Sequence, residues 1–386
     1  MNRSKRRKRW YVIPLLVLVN VFLISCQQKQ STEGISVQSE EEGDAVEENM
    51  ETNMNNLSAE IEQEETPDMN VEQADNIEEE EKLESKEETI EPTDETIEPT
   101  EEIIEPTASI SDEIPSKYFK KRSDHSGSIE HISYTTYDYF GEGQEITKSA
   151  YVYLPYEYDD SKQYNVLYLM HGIGGNEKEW GMFNDTSRVK VMMDNLIYYG
   201  DIEPFIVVTP NGRSSAEFAN TNSDYHSFYL FGQELRNDLI PYIERTYSTF
   251  ATYDEAGYDL SATRDHRAMA GLSMGGMQTI NIGMCESLDI MSYFGAFSAA
   301  PTTNSASTIV KALEEFPEDE IHYFYNICGT KDSIAWASST AATKTLTSLT
   351  DRFVEDKNYM WQEVDGNHDF NVWYLGFYNF AQLVFE

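Results

Sequence analysis

The feature that most constrains this chain is Gly271-Leu272-Ser273-Met274-Gly275-Gly276. It lies between the apolar run Ala268-Met269-Ala270 and a helical stretch opening Met277-Gln278-Thr279. A G-x-S-x-G sequence in a strand–turn–helix setting holds its serine in a strained conformation with the hydroxyl projecting. Glycine at the flanking positions lets strand and helix approach closely, whereas a plain Gly-rich turn would need no serine. The chain around it reads as strands alternating with helices, the pattern of a mostly parallel central sheet flanked by helices. Strands are expected over 149–154, 165–170, 205–209, 267–270, 293–298, 323–328 and 360–364. Helices are expected over 231–246, 274–284, 338–353 and 373–384. Active sites in such sheets lie at the carboxyl ends of the strands.

A serine hydroxyl is a weak nucleophile until a base takes its proton. Of the seven histidines, His368 stands in Asp365-Gly366-Asn367-His368-Asp369-Phe370, after the last strand and before the last helix. That is where the chain order Ser…Asp…His of an α/β-hydrolase fold puts its base. His226, in a polar loop, is the weaker alternative, and His171 belongs to another motif. The orienting carboxylate is expected on the loop after the preceding strand, in Gly329-Thr330-Lys331-Asp332-Ser333, which nominates Asp332. Asp365 and Asp369 are rivals, but sit close in sequence to His368. An oxyanion hole needs two backbone amides. Met274, after the nucleophile, supplies one. The other comes from His171-Gly172-Ile173-Gly174-Gly175, with Ile173 as donor and Gly172 as rival and substrate contact. No P-loop or G-x-G-x-x-G pattern is present, so phosphate binding is disfavoured.

The first 26 residues read as an address. Six Lys or Arg between Arg3 and Arg9 precede an apolar run from Trp10 to Ile24, and the segment closes Leu23-Ile24-Ser25-Cys26. Positive, apolar, then small is the order of a secretory signal. The ending resembles the bacterial lipoprotein processing box, which implies lipidation of Cys26 and a cell-surface location, anchored to the membrane. Residues 27–116 carry 31 Asp or Glu against three Lys and no Trp, Tyr or Phe. Such a segment has little with which to offset the entropy of ordering, so a disordered acidic tether is expected, with 117–386 as the folded domain. Its Glu-Pro-Thr repeats at 91–93, 98–100 and 105–107 recur every seven residues, but the prolines exclude a coiled coil. The formal net charge of −41 makes nucleic acid a poor partner. Three cysteines are too few for a disulfide framework and wrongly spaced for zinc; Cys285 and Cys328 read as buried thiols.

The stretches Leu167–Trp180, Phe231–Tyr247, Ala270–Thr279, Ile327–Ile334 and Gly366–Phe380 together resemble the esterase group that includes feruloyl and acetyl-xylan esterases of carbohydrate esterase family 1. The resemblance implies Ser273, Asp332 and His368 as a triad, no metal and no cofactor. Together with the tryptophans beside the catalytic loops, it points to a feruloyl or acetyl ester of a plant polysaccharide as substrate. The same fold serves siderophore esterases, thioester hydrolases and acyltransferases to surface glycans, so it does not fix the acyl group. Trp180, Trp336 and Trp373 follow the three catalytic loops and are expected to face an aryl group or sugar rings. The number of subunits is left open.

Overall fold

Strands rich in fully buried apolar residues define the centre of the molecule, because a parallel sheet is covered on both faces. The structure is a computed structural model, and it describes residues 110–385 apart from 222–224 and 253–256. Cys26, the expected signal segment and the expected tether up to residue 109 lie outside the described residues. Eight strands form one sheet: β1 (Ser128–Tyr137), β2 (Glu145–Leu154), β3 (Val166–Met170), β4 (Ile206–Pro210), β5 (Arg267–Leu272), β6 (Tyr293–Phe297), β7 (Tyr323–Gly329) and β8 (Tyr359–Val364). Their order is β1-β2-β4-β3-β5-β6-β7-β8. Only β2 runs against its neighbours, and all pairs from β4 to β8 are parallel. This is the sheet of the α/β-hydrolase fold.

Helices cover both faces. On one side pack α1 (Arg188–Tyr199) and α6 (Phe370–Phe380), burying Met192, Met193 and Leu196 and Phe377 and Phe380 against Leu167, Ala268 and Ala270. On the other pack α2 (the continuous run Phe231–Glu234, Leu235–Leu239, Ile240–Thr246), α3 (Met274–Gln278, continuing as Thr279–Met284) and α4 (Ala306–Leu313). Their Leu235, Ile243, Ile280 and Ile309 meet Met269 and Phe294. The two-residue alternation along Ala268-Met269-Ala270 thus feeds two separate cores. A further helix, α5 (Trp336–Ser339 continuing as Thr340–Lys344), follows β7.

Several elements depart from the sequence expectation. β1 has no predicted counterpart, because only Ile132, Tyr134 and Thr136 of this edge strand are buried and, apart from the partly buried Ile129, the rest are exposed and mostly polar. α1 is bounded by local chemistry: the Ser187 hydroxyl accepts from the Lys190 amide, and Gly200 closes it at φ 74°. The helix expected over 338–353 begins at Trp336 and breaks by Thr350, whose backbone is extended. Residues ahead of 117 also take part in the packed domain. Ile110 and Ile114 pack on the core, and the Ser111 amide donates to Asn379 Oδ1 at 3.1 Å.

Candidate active site

Register brings the loops together. Met170 pairs with Gly271, Leu272 with Phe297, and Gly329 with Val364, so the loops after β3, β5, β7 and β8 leave one edge of the sheet. At the turn after β5, Ser273 adopts φ 49°, ψ −114°, a region that costs a non-glycine residue of order 1–3 kcal/mol. The surroundings enforce it. A Cβ on Gly275 would stand 2.6 Å from Met170 O, and one on Gly271 2.6 Å from the Gly275 carbonyl carbon, so neither backbone could retreat. The Ser273 amide donates to Phe297 O at 2.9 Å, and its carbonyl accepts from Ala300 at 2.9 Å.

His368 Nε2 lies 3.0 Å from Ser273 Oγ, and His368 Nδ1 lies 2.7 Å from Asp332 Oδ2. Asp332 is 2% exposed, and its Oδ1 accepts from the amides of Ile334 at 3.0 Å and Ala335 at 2.8 Å. Burial would raise this carboxyl, but the hydrogen bond and charge of His368 outweigh burial, with help from the Ala335 amide, and leave it below the ordinary carboxylate range. The two rival carboxylates are otherwise engaged: Asp365 pairs with Lys331 at 2.7 Å, and Asp369 caps α6 by accepting from the Asn371 amide. His226 is exposed and stacks on Tyr225.

The loop after β3 is held at several points. His171 Nδ1–H donates to Gly172 O at 2.6 Å, and its Nε2 accepts from the Gly212 amide at 2.8 Å. Burial, with the Arg213 charge nearby, pushes this imidazole down to about 3, so it is neutral and its tautomer is fixed by the two bonds. Arg213, itself 1% exposed, donates to Gly175 O at 2.7 Å and to Ile173 O. The segment carrying Arg213 is anchored in turn by the buried Lys148–Glu234 pair at 2.7 Å, since Lys148 Nζ also donates to Asn211 O and Arg213 O. Sequence reasoning missed Arg213 and Glu179. Glu179 lies inside the quoted motif, but nothing marked its acid as a partner of the loop.

The substrate contacts proposed from tryptophans need correction. Trp180 is fully buried, with its indole N–H donating to Met170 O at 3.0 Å, so it closes the loop rather than facing a ligand. Trp373 is 6% exposed and sets its ring edge-to-face against His368, centroids 5.1 Å apart. It buttresses the imidazole. The Gly172 amide is taken by Glu179 Oε2 at 2.6 Å, which removes it as an oxyanion donor, and its residue is buried. Trp336 remains half-buried beside Trp361. Phe228, Met274, Met277 and Ala300 form a small buried cluster that begins at the residue after the serine, and the partly buried Ile173, Tyr225 and Tyr229 pack against it.

The fold and this strained elbow define a serine hydrolase of the α/β-hydrolase class. The family model described as "Putative esterase" matches residues 144–379. The chain is 36% identical over 197 residues to endo-1,4-beta-xylanase Y of Acetivibrio thermocellus, covering 50% of this chain and 17% of that protein. It is 30% identical over 230 residues to an endo-1,4-beta-xylanase/feruloyl esterase of Xylanibacter ruminicola, covering 57% and 28%. Thus the match spans under a third of either relative's length. Among solved structures, the feruloyl esterase module from Clostridium thermocellum complexed with sinapinate superposes with TM-score 0.58 at 28% identity, covering 71% of this chain and 93% of that one. The ferulic acid esterase AmCE1/Fae1A of Anaeromyces mucronatus gives 0.56 at 27%, covering 72% and 98%. The chain belongs to the "Putative esterase" family, and its esterase region is a serine carboxylic-ester hydrolase.

Proposed function

We propose that this protein removes acyl groups, feruloyl foremost, from esterified plant-wall carbohydrate through an acyl-Ser273 intermediate. The observation that carries the mechanism is the hydrogen-bonded line from Ser273 Oγ through His368 to Asp332. As Ser273 Oγ bonds to the ester carbonyl carbon, its proton passes to His368 Nε2. Asp332 keeps the Nδ1 proton in place and stabilises the imidazolium. The carbonyl oxygen becomes an oxyanion facing the amides of Ile173 and Met274. On collapse, the imidazolium returns its proton to the departing sugar hydroxyl. Water, deprotonated by His368, then attacks the acyl-enzyme carbonyl, and on collapse the imidazolium gives that proton to Ser273 Oγ as the acid leaves.

An aromatic acid is favoured by the partly buried Ile173, Tyr225 and Tyr229, which pack on the cluster containing Met274, the residue after the nucleophile. It is also favoured by the phenolic acids named for the similar structures. The basic and apolar leader ending at Cys26 supports display of the enzyme as a surface lipoprotein on its acidic tether. The test is turnover of methyl ferulate, feruloylated xylo-oligosaccharide and acetylated xylan by the purified protein. Hydrolysis of the feruloyl esters, abolished by Ser273→Ala, is the expected result. Cleavage of acetylated xylan alone would overturn the aromatic assignment, and no turnover of any of the three would overturn the carbohydrate-ester reading.

A further inference from the structure

Two neighbouring amides in the 171–175 loop, Gly172 and Ile173, compete to face the reacting carbonyl. We infer that Glu179 is a positioning residue that decides this competition: its carboxylate takes the Gly172 amide and so commits the Ile173 amide to the oxyanion hole. The inference rests on the reading of Ser273 as the nucleophile.

The contact between Gly172 N and Glu179 Oε2 is 2.6 Å, the short distance of a charge-assisted hydrogen bond. An amide engaged in this way has no proton left to offer an oxyanion. The Ile173 amide donates to no group among the described residues, and its own peptide plane is fixed from the other side. That plane carries Gly172 O, which accepts from His171 Nδ1 at 2.6 Å and from the Gly175 amide at 3.3 Å. In a trans peptide the N–H points opposite to the C=O, so pinning the carbonyl aims the amide. Arg213 holds the next carbonyl, Ile173 O.

The carboxylate reaches this place because Gly175 makes room. A Cβ on Gly175 would stand 2.3 Å from Glu179 Oε2, inside the carboxylate's own volume. A Cβ on Gly172 would lie 3.6 Å from Oε2 and 3.5 Å from Ser273 Cβ, so one glycine is all that separates the carboxylate from the nucleophile. The adjoining Trp180, tied to Met170 O, anchors the backbone from which Glu179 projects. Arg213, His368 and Tyr374 are the titratable groups that face the carboxyl. Burial pushes it up to about 7, against the pull of the Gly172 amide, Arg213 and His368.

The experiment compares wild type, Glu179→Ala and Glu179→Gln in kcat and KM for methyl ferulate. It adds inhibition by an aryl boronic acid, whose tetrahedral adduct occupies the oxyanion hole. Glu179→Ala should lose about 10²-fold in kcat, the scale of a lost oxyanion donor, with KM within about threefold. Boronate affinity should fall with kcat. Glu179→Gln, which keeps an acceptor oxygen, should return to within about tenfold of wild type. If the alanine variant does not fold, Glu179→Met, of similar volume and without an acceptor oxygen, replaces it. A variant without the acceptor but with wild-type kcat, a loss confined to KM, or a glutamine variant as impaired as alanine would each overturn the inference. Fluorophosphonate labelling of wild type separates the two levels: no adduct on Ser273 removes the nucleophile reading itself. An adduct together with a fully active alanine variant removes only the role of Glu179.

Discussion

Asp332→Asn tests the relay with almost no change of shape. The orientation of the new amide is dictated by its surroundings. Oδ1 accepts from two backbone amides, Ile334 at 3.0 Å and Ala335 at 2.8 Å, so the asparagine oxygen must occupy that side. The NH₂ group is then forced toward His368 Nδ1, where Oδ2 stood at 2.7 Å. An N–H aimed at Nδ1 makes that nitrogen the acceptor and moves the ring proton to Nε2, which then cannot take a proton from Ser273. The analogous substitution in the trypsin triad lowers kcat about 10⁴-fold, and the same geometry predicts about that loss here, roughly 5 kcal/mol of transition-state stabilisation. KM should stay near wild type, because substrate binding does not depend on the tautomer. Thermal stability should change little, since both amide bonds survive. Initial rates of methyl ferulate hydrolysis near neutral pH, with a parallel melting curve, provide the measurement. An Asp332→Asn enzyme within tenfold of wild-type kcat would refute the tautomer argument.

Other predictions follow from the same contacts. Lys148→Met leaves Glu234 in the core without its cation, only the Tyr134 and Ser214 hydroxyls still donating to it, and removing one member of a buried pair costs about 3–5 kcal/mol, so the melting temperature should fall by roughly 10 °C. Adding Glu234→Gln should recover part of that loss, and an unchanged melting temperature in the single variant would contradict the buried pair. Trp180→Phe should leave KM unchanged while costing about 1 kcal/mol of stability through the orphaned Met170 carbonyl, whereas a large rise in KM would return Trp180 to the substrate. The Glu179 carboxyl, held near 7 in the folded state against an ordinary value near 4.3, keeps its proton longer when folded. Its ionisation therefore erodes stability as pH rises from about 4 through 7, so the melting temperature of Glu179→Gln relative to wild type should climb between pH 5 and pH 8. A flat difference would mean the carboxyl is not held up by burial.

The pieces of the site that could be read from sequence are those where local chemistry is self-contained. The glycines around Ser273, the strand before them and the helix after them lie within a dozen residues, and each has a steric reason visible in the sequence. Asp332 and His368 followed from the order of loops along a parallel sheet. Arg213 and Glu179 were harder because their roles are tertiary. Arg213 sits in Asn211-Gly212-Arg213-Ser214, a stretch with no motif, and acts by reaching carbonyls about 40 residues away. The tryptophans misled because proximity in sequence to a catalytic loop was read as exposure toward its ligand. Large aromatics beside a strained loop are needed underneath it, where they fix its shape, as Trp180 and Trp373 do. β1 escaped notice because an edge strand with one buried face and a polar exterior lacks the continuous apolar run that marked the central strands.

The most direct trial of the account is to react the purified protein with a fluorophosphonate, then weigh the intact chain and map the modified peptide. The relay of Ser273, His368 and Asp332 predicts a single adduct on Ser273, slowed by orders of magnitude in His368→Ala and absent in Ser273→Ala. A wild-type protein that gains no mass, or an adduct on another residue that persists in Ser273→Ala, would contradict it.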